Sequence, residues 1–352
     1  MIAATYTQGG AFAIAEVPVP SIGEGELLVK VEATSLCGTD VKITRHGHRR
    51  LKPGQTIILG HEFVGTITKA GSKVTNFAVG ERVGVVPNIG CGFCEMCGRG
   101  LMNMCPDYSA FGINMDGSHT EYVRITEATM AQGNVIKLSK TVSFIAAALA
   151  EPLSCAVNGI RVAGVEQGDF VLIYGAGPMG LLNLMLALLS GASEVFVVDM
   201  NDERLEKARS LGASRTFNPK LGSVADWVMN ESGKRGVNVV ITAAPSPEIQ
   251  AEALKLLAPF GRLCLFAGLP TGSPPTAIDT NAIHYKNLIV TGMTGGAPQD
   301  YRTALRLIEA GRVDLSQVIS HVLPISEVAK AYDLALAGQG MKIVLASREA
   351  MA

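Results

Sequence analysis

Asp169-Phe170-Val171-Leu172-Ile173-Tyr174-Gly175-Ala176-Gly177-Pro178-Met179-Gly180 carries a short apolar run into three closely spaced glycines. Asp169 to Tyr174 has the length and continuity of a strand buried on both faces. The glycines fit G-x-G-x-x-G, and Leu181 to Leu189 continues as an apolar helix stopped by Gly191. A glycine-rich turn between a strand and a helix is the setting in which this spacing has physical meaning. Gly175 permits the tight turn, Gly177 lets a pyrophosphate approach the backbone, and Gly180 lets helix pack on strand. Pro178 and Met179 open the helix, whose free N–H groups face the phosphates. Glu194 to Asp199 forms a second strand, and Asp199 stands where an acid bonds the ribose hydroxyls of a dinucleotide. An acid there repels a 2′-phosphate, so NAD is expected over NADP, with Arg204 in the cofactor site near enough to keep NADP as the alternative.

The pattern continues downstream. Asn201 caps a helix that buries Leu205, Ala208 and Leu211 and ends at Gly212. Strands are expected at Ser214 to Phe217, Val237 to Thr242, Arg262 to Ala267 and Leu288 to Thr291, with helices between most of them. Such alternation implies an α/β fold with a parallel, doubly wound sheet. The apolar stretch from Phe170 to Ala192 is no membrane span, because its glycines and Pro178 divide it. After Gly292 a helix from Pro298 to Ala310, another from Val328 to Leu336 and a strand from Lys342 to Ala346 exceed a six-stranded sheet. They are expected to return to the first domain.

Upstream, the chain has a different texture. Leu27 to Ala33, Val64 to Thr68 and Arg82 to Val86 are short strands, separated by turns such as Gly23-Glu24-Gly25. This predicts a mostly antiparallel barrel. Into it is inserted CGFCEMCGRGLMNMC, with Cys91, Cys94, Cys97 and Cys105 at C-x2-C-x2-C-x7-C spacing. Four thiolates from one short lobe suit a tetrahedral structural zinc. The expected domains are 1–153, with the zinc lobe at about 88–108, then 154–291 for the dinucleotide, and 292–352 as the return to the first domain.

Bulk properties narrow the partners. The chain has 352 residues, 48% hydrophobic and 17% charged, with formal net charge -1. Without a basic excess, a nucleic-acid surface is not expected, and a small molecule is the expected partner. Seven cysteines, four of them clustered, suit a reducing cytoplasm better than a disulfide framework. No secretory leader is read at Met1 to Tyr6.

Cys37-Gly38-Thr39-Asp40, Gly60-His61-Glu62 and Glu151-Pro152-Leu153 bring the remaining chemistry. A catalytic zinc takes about three protein ligands and keeps one position open. Together with VGERVGV, DGSHTEYV, AEPLSCAV, YGAGPMG and VVDMNDERL, these motifs make the chain resemble the zinc-containing medium-chain dehydrogenase/reductase family over essentially its whole length. The resemblance implies a GroES-like barrel joined to a Rossmann domain, and NAD-dependent oxidation of an alcohol. It places Cys37 and His61 on a catalytic zinc, and makes Glu62 a ligand or a nearby acid. Glu151 stands where simple alcohol dehydrogenases carry cysteine, as in the polyol and threonine dehydrogenases. Thr39 falls at the start of the family's proton relay, and Asp40 supports the metal from behind. Two zinc ions per chain and a homotetramer are implied. Cys155 and Cys264 match no ligand position and are expected to be packing residues, while His46, His48, His119, His284 and His321 are expected to be surface or core histidines.

For the substrate, the leading expectation is a secondary hydroxyl of a sugar alcohol or related polyhydroxy compound. The alternatives are an L-threonine 3-dehydrogenase-like enzyme and a general secondary-alcohol dehydrogenase. A non-enzymatic NAD-sensing module with zinc only in the lobe would leave the Cys37, His61 and Glu151 constellation unexplained. The basic run Lys42 to Lys52 is either a solvated loop or subunit contact, or a hold for an anionic substrate group, with Arg49 and Arg50 as its forks. Thr291-Gly292-Met293-Thr294-Gly295-Gly296 is small where several sorbitol dehydrogenases are bulky, which speaks against a simple sorbitol enzyme.

Overall fold

The computed structural model describes residues 1–270 and 272–351. Two compact units emerge: Met1–Ser154 together with the chain from Gly296 onward, and Cys155–Gly295.

The first unit is built on antiparallel strands whose alternation buries one face. Its larger sheet runs Val135–Lys137, Arg82–Val85, Glu62–Ala70, Leu27–Ser35, Lys342–Ala346, Ile319–Pro324, with Tyr122–Ile125 also on Leu27–Ser35. A smaller sheet orders Phe12–Glu16, Ile2–Thr7 and Thr56–Ile58. Leu27, Val29, Val31, Phe63, Ile67, Val83, Val85 and Phe111 form one core. Each such side chain contributes about 1.5–3 kcal/mol on burial. A second core packs Tyr332 and Val328 of helix Val328–Leu336 against Tyr6, Ile57, Leu59, Ile343 and Leu345. The C-terminal return is therefore structural: Lys342–Ala346 is a central strand, antiparallel to Leu27–Ser35 and parallel to Ile319–Pro324.

Register then places the chemistry. Ser35 is paired with Glu62 across the two long strands, and with Val344 on its other side. Two segments from the first fifth of the chain and one from its end thus converge at one end of the sheet. The cysteine lobe hangs between the two-residue strands Asn88–Ile89 and Ser109–Ala110.

The second unit is a six-stranded, all-parallel sheet in the order Arg215–Phe217, Glu194–Val198, Phe170–Tyr174, Val237–Thr242, Leu257–Leu265, Ile289–Gly292. The order reverses beside Phe170–Tyr174, the position at which doubly wound sheets bind ligands. Helix Asp202–Ser210 has Asn201 as its cap, the side chain accepting from Arg204 N at 3.0 Å. One strand begins earlier than expected, at Leu257 rather than Arg262. Pro259 and Gly261 look like breakers, but the chain passes through them with Phe260 at φ 60°. Among the described residues no helix is long and apolar enough to cross a membrane.

Candidate metal and cofactor sites

Leu27–Ser35 delivers Cys37, which caps helix Gly38–His46. The first turn of that helix folds Asp40 back, and Cys37 N donates to Asp40 Oδ2 at 2.8 Å. Asp40 Oδ1 accepts from Gly60 N at 3.3 Å and lies 3.4 Å from His61 Nδ1. One fully buried carboxylate therefore ties the Cys37 turn to the His61 turn. Burial works to raise its pKa, but His61 and then His119 outweigh burial and hold it at about 2. Burial likewise works to lower the His61 pKa, while Asp40 and Cys37 raise it well above the ordinary value. At 3.4 Å the Asp40 contact is too long for a strong hydrogen bond, and among the described residues His61 Nδ1 has no hydrogen-bond partner. With Nδ1 turned to Asp40, Nε2 is the nitrogen left for a metal, the usual carboxylate–histidine arrangement.

Cys37, His61 and Glu62 offer one ligand atom each, all within 4.8 Å of one another. A thiolate, an imidazole and a carboxylate fit zinc with an open fourth position. Glu151, buried in the first turn of Ala150–Ala163, is not part of that close group. Its charge nevertheless bears on Lys342 and on the buried Tyr301. Thr39 sits half-buried in the first turn of the Cys37 helix.

The Glu62 carboxylate is already engaged. Lys342 Nζ donates to Oε1 at 2.5 Å and also to Oε2, and Ser35 Oγ donates to Oε2. Lys342 completes its donors on Leu36 O at 3.2 Å. Burial works to lower the lysine pKa, but Glu62, then Cys37, keep it raised. Sequence reasoning missed Lys342; its only signal is one charge opening an otherwise apolar strand, Lys342-Ile343-Val344-Leu345-Ala346. His119, expected to be a surface or core histidine, is fully buried and bonded to protein on both ring nitrogens.

Cys91, Cys94, Cys97 and Cys105 also lie mutually within 4.8 Å. Cys94 and Cys105 sulfurs are 3.8 Å apart. A tetrahedron of thiolates about 2.3 Å from zinc has edges of about 3.8 Å, so the cage has zinc dimensions. Backbone N–H groups of Cys91, Gly92 and Cys97 point at sulfurs of the cluster at 3.3–3.5 Å. The Phe93 amide helps draw the Cys91 thiol down to about 7.

In the second unit, Gly175 adopts φ 102°, and a Cβ on Gly180 would collide with Gly175 O. Helix Pro178–Leu189 begins with Gly177 and no side-chain cap, leaving its first N–H groups free. The space over Gly177 is open, its nearest neighbour being Arg204 Nη1, 4.0 Å from where a Cβ would stand. Asp199 does more than sequence suggests: Oδ2 accepts from Ala176 N at 2.7 Å and Oδ1 from Asn201 N at 2.9 Å. It braces the glycine turn while keeping further lone pairs for ribose hydroxyls.

The basic run divides. Arg50 stacks on Tyr108 at 3.8 Å and donates to Pro106 O at 3.1 Å, and Arg45 donates to Leu336 O at 3.0 Å. Those two hold neighbouring segments, while Arg49 is exposed. Cys264 is buried as a packing residue, and Cys155 is half-buried.

Comparisons with known proteins agree with this picture. Residues 23–137 match the alcohol dehydrogenase GroES-like domain, and residues 178–310 the zinc-binding dehydrogenase domain. An L-threonine 3-dehydrogenase of Bacillus velezensis is 34% identical over 335 residues, covering 94% of each chain. A zinc-binding dehydrogenase structure from Sinorhizobium meliloti 1021, bound to NADP, superimposes with TM-score 0.89 at 31% identity, covering 98% of each chain. Galactitol-1-phosphate dehydrogenase from Escherichia coli gives TM-score 0.87 at 27% identity, covering 98% of this chain and 100% of its own. With the glycine turn, the thiolate cage and the Cys37–His61 cluster in one chain, the protein belongs to the zinc-containing medium-chain dehydrogenase family and is an oxidoreductase acting on CH–OH groups.

Proposed function

We propose that this chain oxidises the C3 hydroxyl of L-threonine, or of a close β-hydroxy amino acid, to the ketone. The observation that carries the substrate is the likeness to an L-threonine 3-dehydrogenase across 94% of both chains. It favours the threonine alternative over the sugar alcohol expected first from sequence. Glu151 and the small Thr291–Gly296 segment are compatible with it. A phosphorylated polyol is the second reading, favoured by the galactitol-1-phosphate dehydrogenase fold match and by exposed Arg49 in the basic run.

When bound, zinc would polarise the substrate oxygen and lower its pKa, and the nicotinamide would take the hydride. Cys37 and His61 would hold the metal, with a carboxylate from Glu62 or Glu151 as the third ligand. Asp40 orients the His61 ring and disperses its charge. Thr39 would carry the hydroxyl proton away as the first member of a relay. Cys91, Cys94, Cys97 and Cys105 would hold a second, structural zinc. Gly175 to Gly180 and Arg204 would receive the pyrophosphate, and Asp199 would favour NAD by opposing a 2′-phosphate.

We assign the molecule to a homotetramer in the cytoplasm. Ile289 and Val290 lie exposed on the edge strand of the parallel sheet, an apolar edge that proteins usually cover, and the free thiols suit a reducing compartment. Light scattering on the purified chain checks the assembly.

The substrate test is NADH formation by zinc-loaded protein on L-threonine, free polyols, polyol phosphates and simple secondary alcohols. A kcat/KM at least tenfold higher on L-threonine is expected. Preference for a polyol phosphate, lost in Arg49→Ala, would replace this reading with the second one.

A further inference from the structure

We infer that His119 is a positioning residue for the metal centre, a clamp that sets the Cys37 turn against the His61 turn. The inference rests on the reading that Cys37 and His61 hold zinc.

His119 lies in the segment Asp116-Gly117-Ser118-His119-Thr120 and is fully buried. Its Nε2 is 3.3 Å from Ser35 O, and its Nδ1 is 2.8 Å from Tyr332 Oη. A carbonyl only accepts, so Nε2 carries the proton; Nδ1 then offers a lone pair, and Tyr332 donates to it. Both nitrogens are spent on protein, which leaves neither for a metal or for proton transfer. Burial, the largest influence on this ring, acts against its charging and keeps it in the neutral form these bonds require.

The four residues it touches are the reason for assigning it a task. Ser35 stands two residues before Cys37, and its hydroxyl donates to Glu62. Gly60 stands immediately before His61, and its bare Cα accepts the His119 ring: a Cβ there would collide with the ring edge. His119 N also donates to Leu59 O at 2.8 Å. Tyr332 belongs to helix Val328–Leu336 of the C-terminal return. One ring therefore registers two ligand-bearing turns against each other and anchors both to a helix about two hundred residues away in sequence. A phenyl ring would fill the same space and make neither bond.

The test measures metal rather than turnover alone. His119→Phe and His119→Gln are prepared as full-length protein beside wild type. Zinc affinity of the Cys37 site is read by chelator competition, and its geometry by the absorption bands of Co2+ in the same site. His119→Phe is expected to weaken zinc at this site by about tenfold, the lower end of what losing a group bonded directly to a ligand costs, because His119 acts one bond further back. It should also shift the cobalt bands and leave the four-cysteine site unchanged. His119→Gln, which keeps a donor near Ser35 O, should recover part of the affinity. If His119→Phe does not fold, Tyr332→Phe carries the test, with a several-fold loss expected. Wild-type zinc affinity and cobalt spectrum in the folded variants would overturn the inference. A wild-type chain that binds zinc only at the four cysteines would instead overturn the reading beneath it.

Discussion

Lys342 Nζ lies 2.5 Å from Glu62 Oε1, and both side chains are closed off from solvent. This pair joins the C-terminal return to the residue directly after His61. It holds one of the candidate metal carboxylates with a protein cation. Taking one member away strands the other in a poorly solvated site, which costs about 3–5 kcal/mol. Lys342→Met should therefore destabilise the chelated protein by about that much in denaturant unfolding. Glu62→Gln/Lys342→Met should restore most of the loss, because no buried charge is left unpaired. A double variant as unstable as the single one would show that the lysine acts through packing alone.

Metal removal has a pH signature. In the chelated protein the His61 pKa is raised well above 6.5, burial opposing and Asp40 and Cys37 prevailing. A raised folded pKa stabilises the fold fully below the unfolded value and loses that contribution as pH climbs through the folded one. Tm of the chelated protein should thus fall as pH rises above about 6.5. Zinc-loaded protein should lack this fall, since ligation needs the neutral ring, and zinc affinity should rise over the same window. Asp40 acts at the acid end: its carboxyl sits at about 2 against an ordinary 3.8, so its contribution is present above 3.8 and lost as pH falls through about 2. Thermal unfolding across pH, with and without chelator, checks both limbs.

Asp199 separates two jobs by substitution. Asp199→Asn keeps an acceptor for Ala176 N but removes the charge that opposes a 2′-phosphate. NADH affinity should hold within about threefold, while NADPH affinity improves about tenfold, about 1.4 kcal/mol. Asp199→Ala removes the brace as well and should weaken both cofactors. Titration of intrinsic fluorescence with each cofactor reads the difference; equal losses for Asn and Ala would mean the charge has no part in selection.

Legibility followed locality. The turn at Gly175–Gly180, the Asn201 cap and the four-cysteine spacing are readable because all their partners lie within a few residues. Val328–Leu336 and Lys342–Ala346 were recovered with their observed bounds for the same reason. The single charge opening the strand at Lys342 is not enough to reveal its role, since its partner Glu62 is 280 residues away and a lone charge in a strand normally marks a solvent face. From sequence Arg50 stays open between a solvated loop and an anion fork, because its ring partner, Tyr108, comes from the far side of the cysteine lobe. The strand Leu257–Leu265 begins before the expected Arg262, passing through Pro259 and Gly261 with Phe260 in the left-handed conformation.

Zinc content per chain, measured together with threonine-dependent NADH formation in wild type, Cys37→Ser and Cys94→Ser, tests the two-centre account most directly. Wild type should carry about two zinc ions, as a family catalytic site plus a four-thiolate cage requires. Cys37→Ser should keep the cage metal, lose the other and lose activity by about 10³-fold or more, while folding normally; metal-dependent polarisation supplies several kcal/mol of transition-state stabilisation. Cys94→Ser should keep the Cys37-site metal and lose stability first. A Cys37→Ser protein that retains both zinc ions, or turns over as fast as wild type, would contradict the assignment of the reaction to this centre.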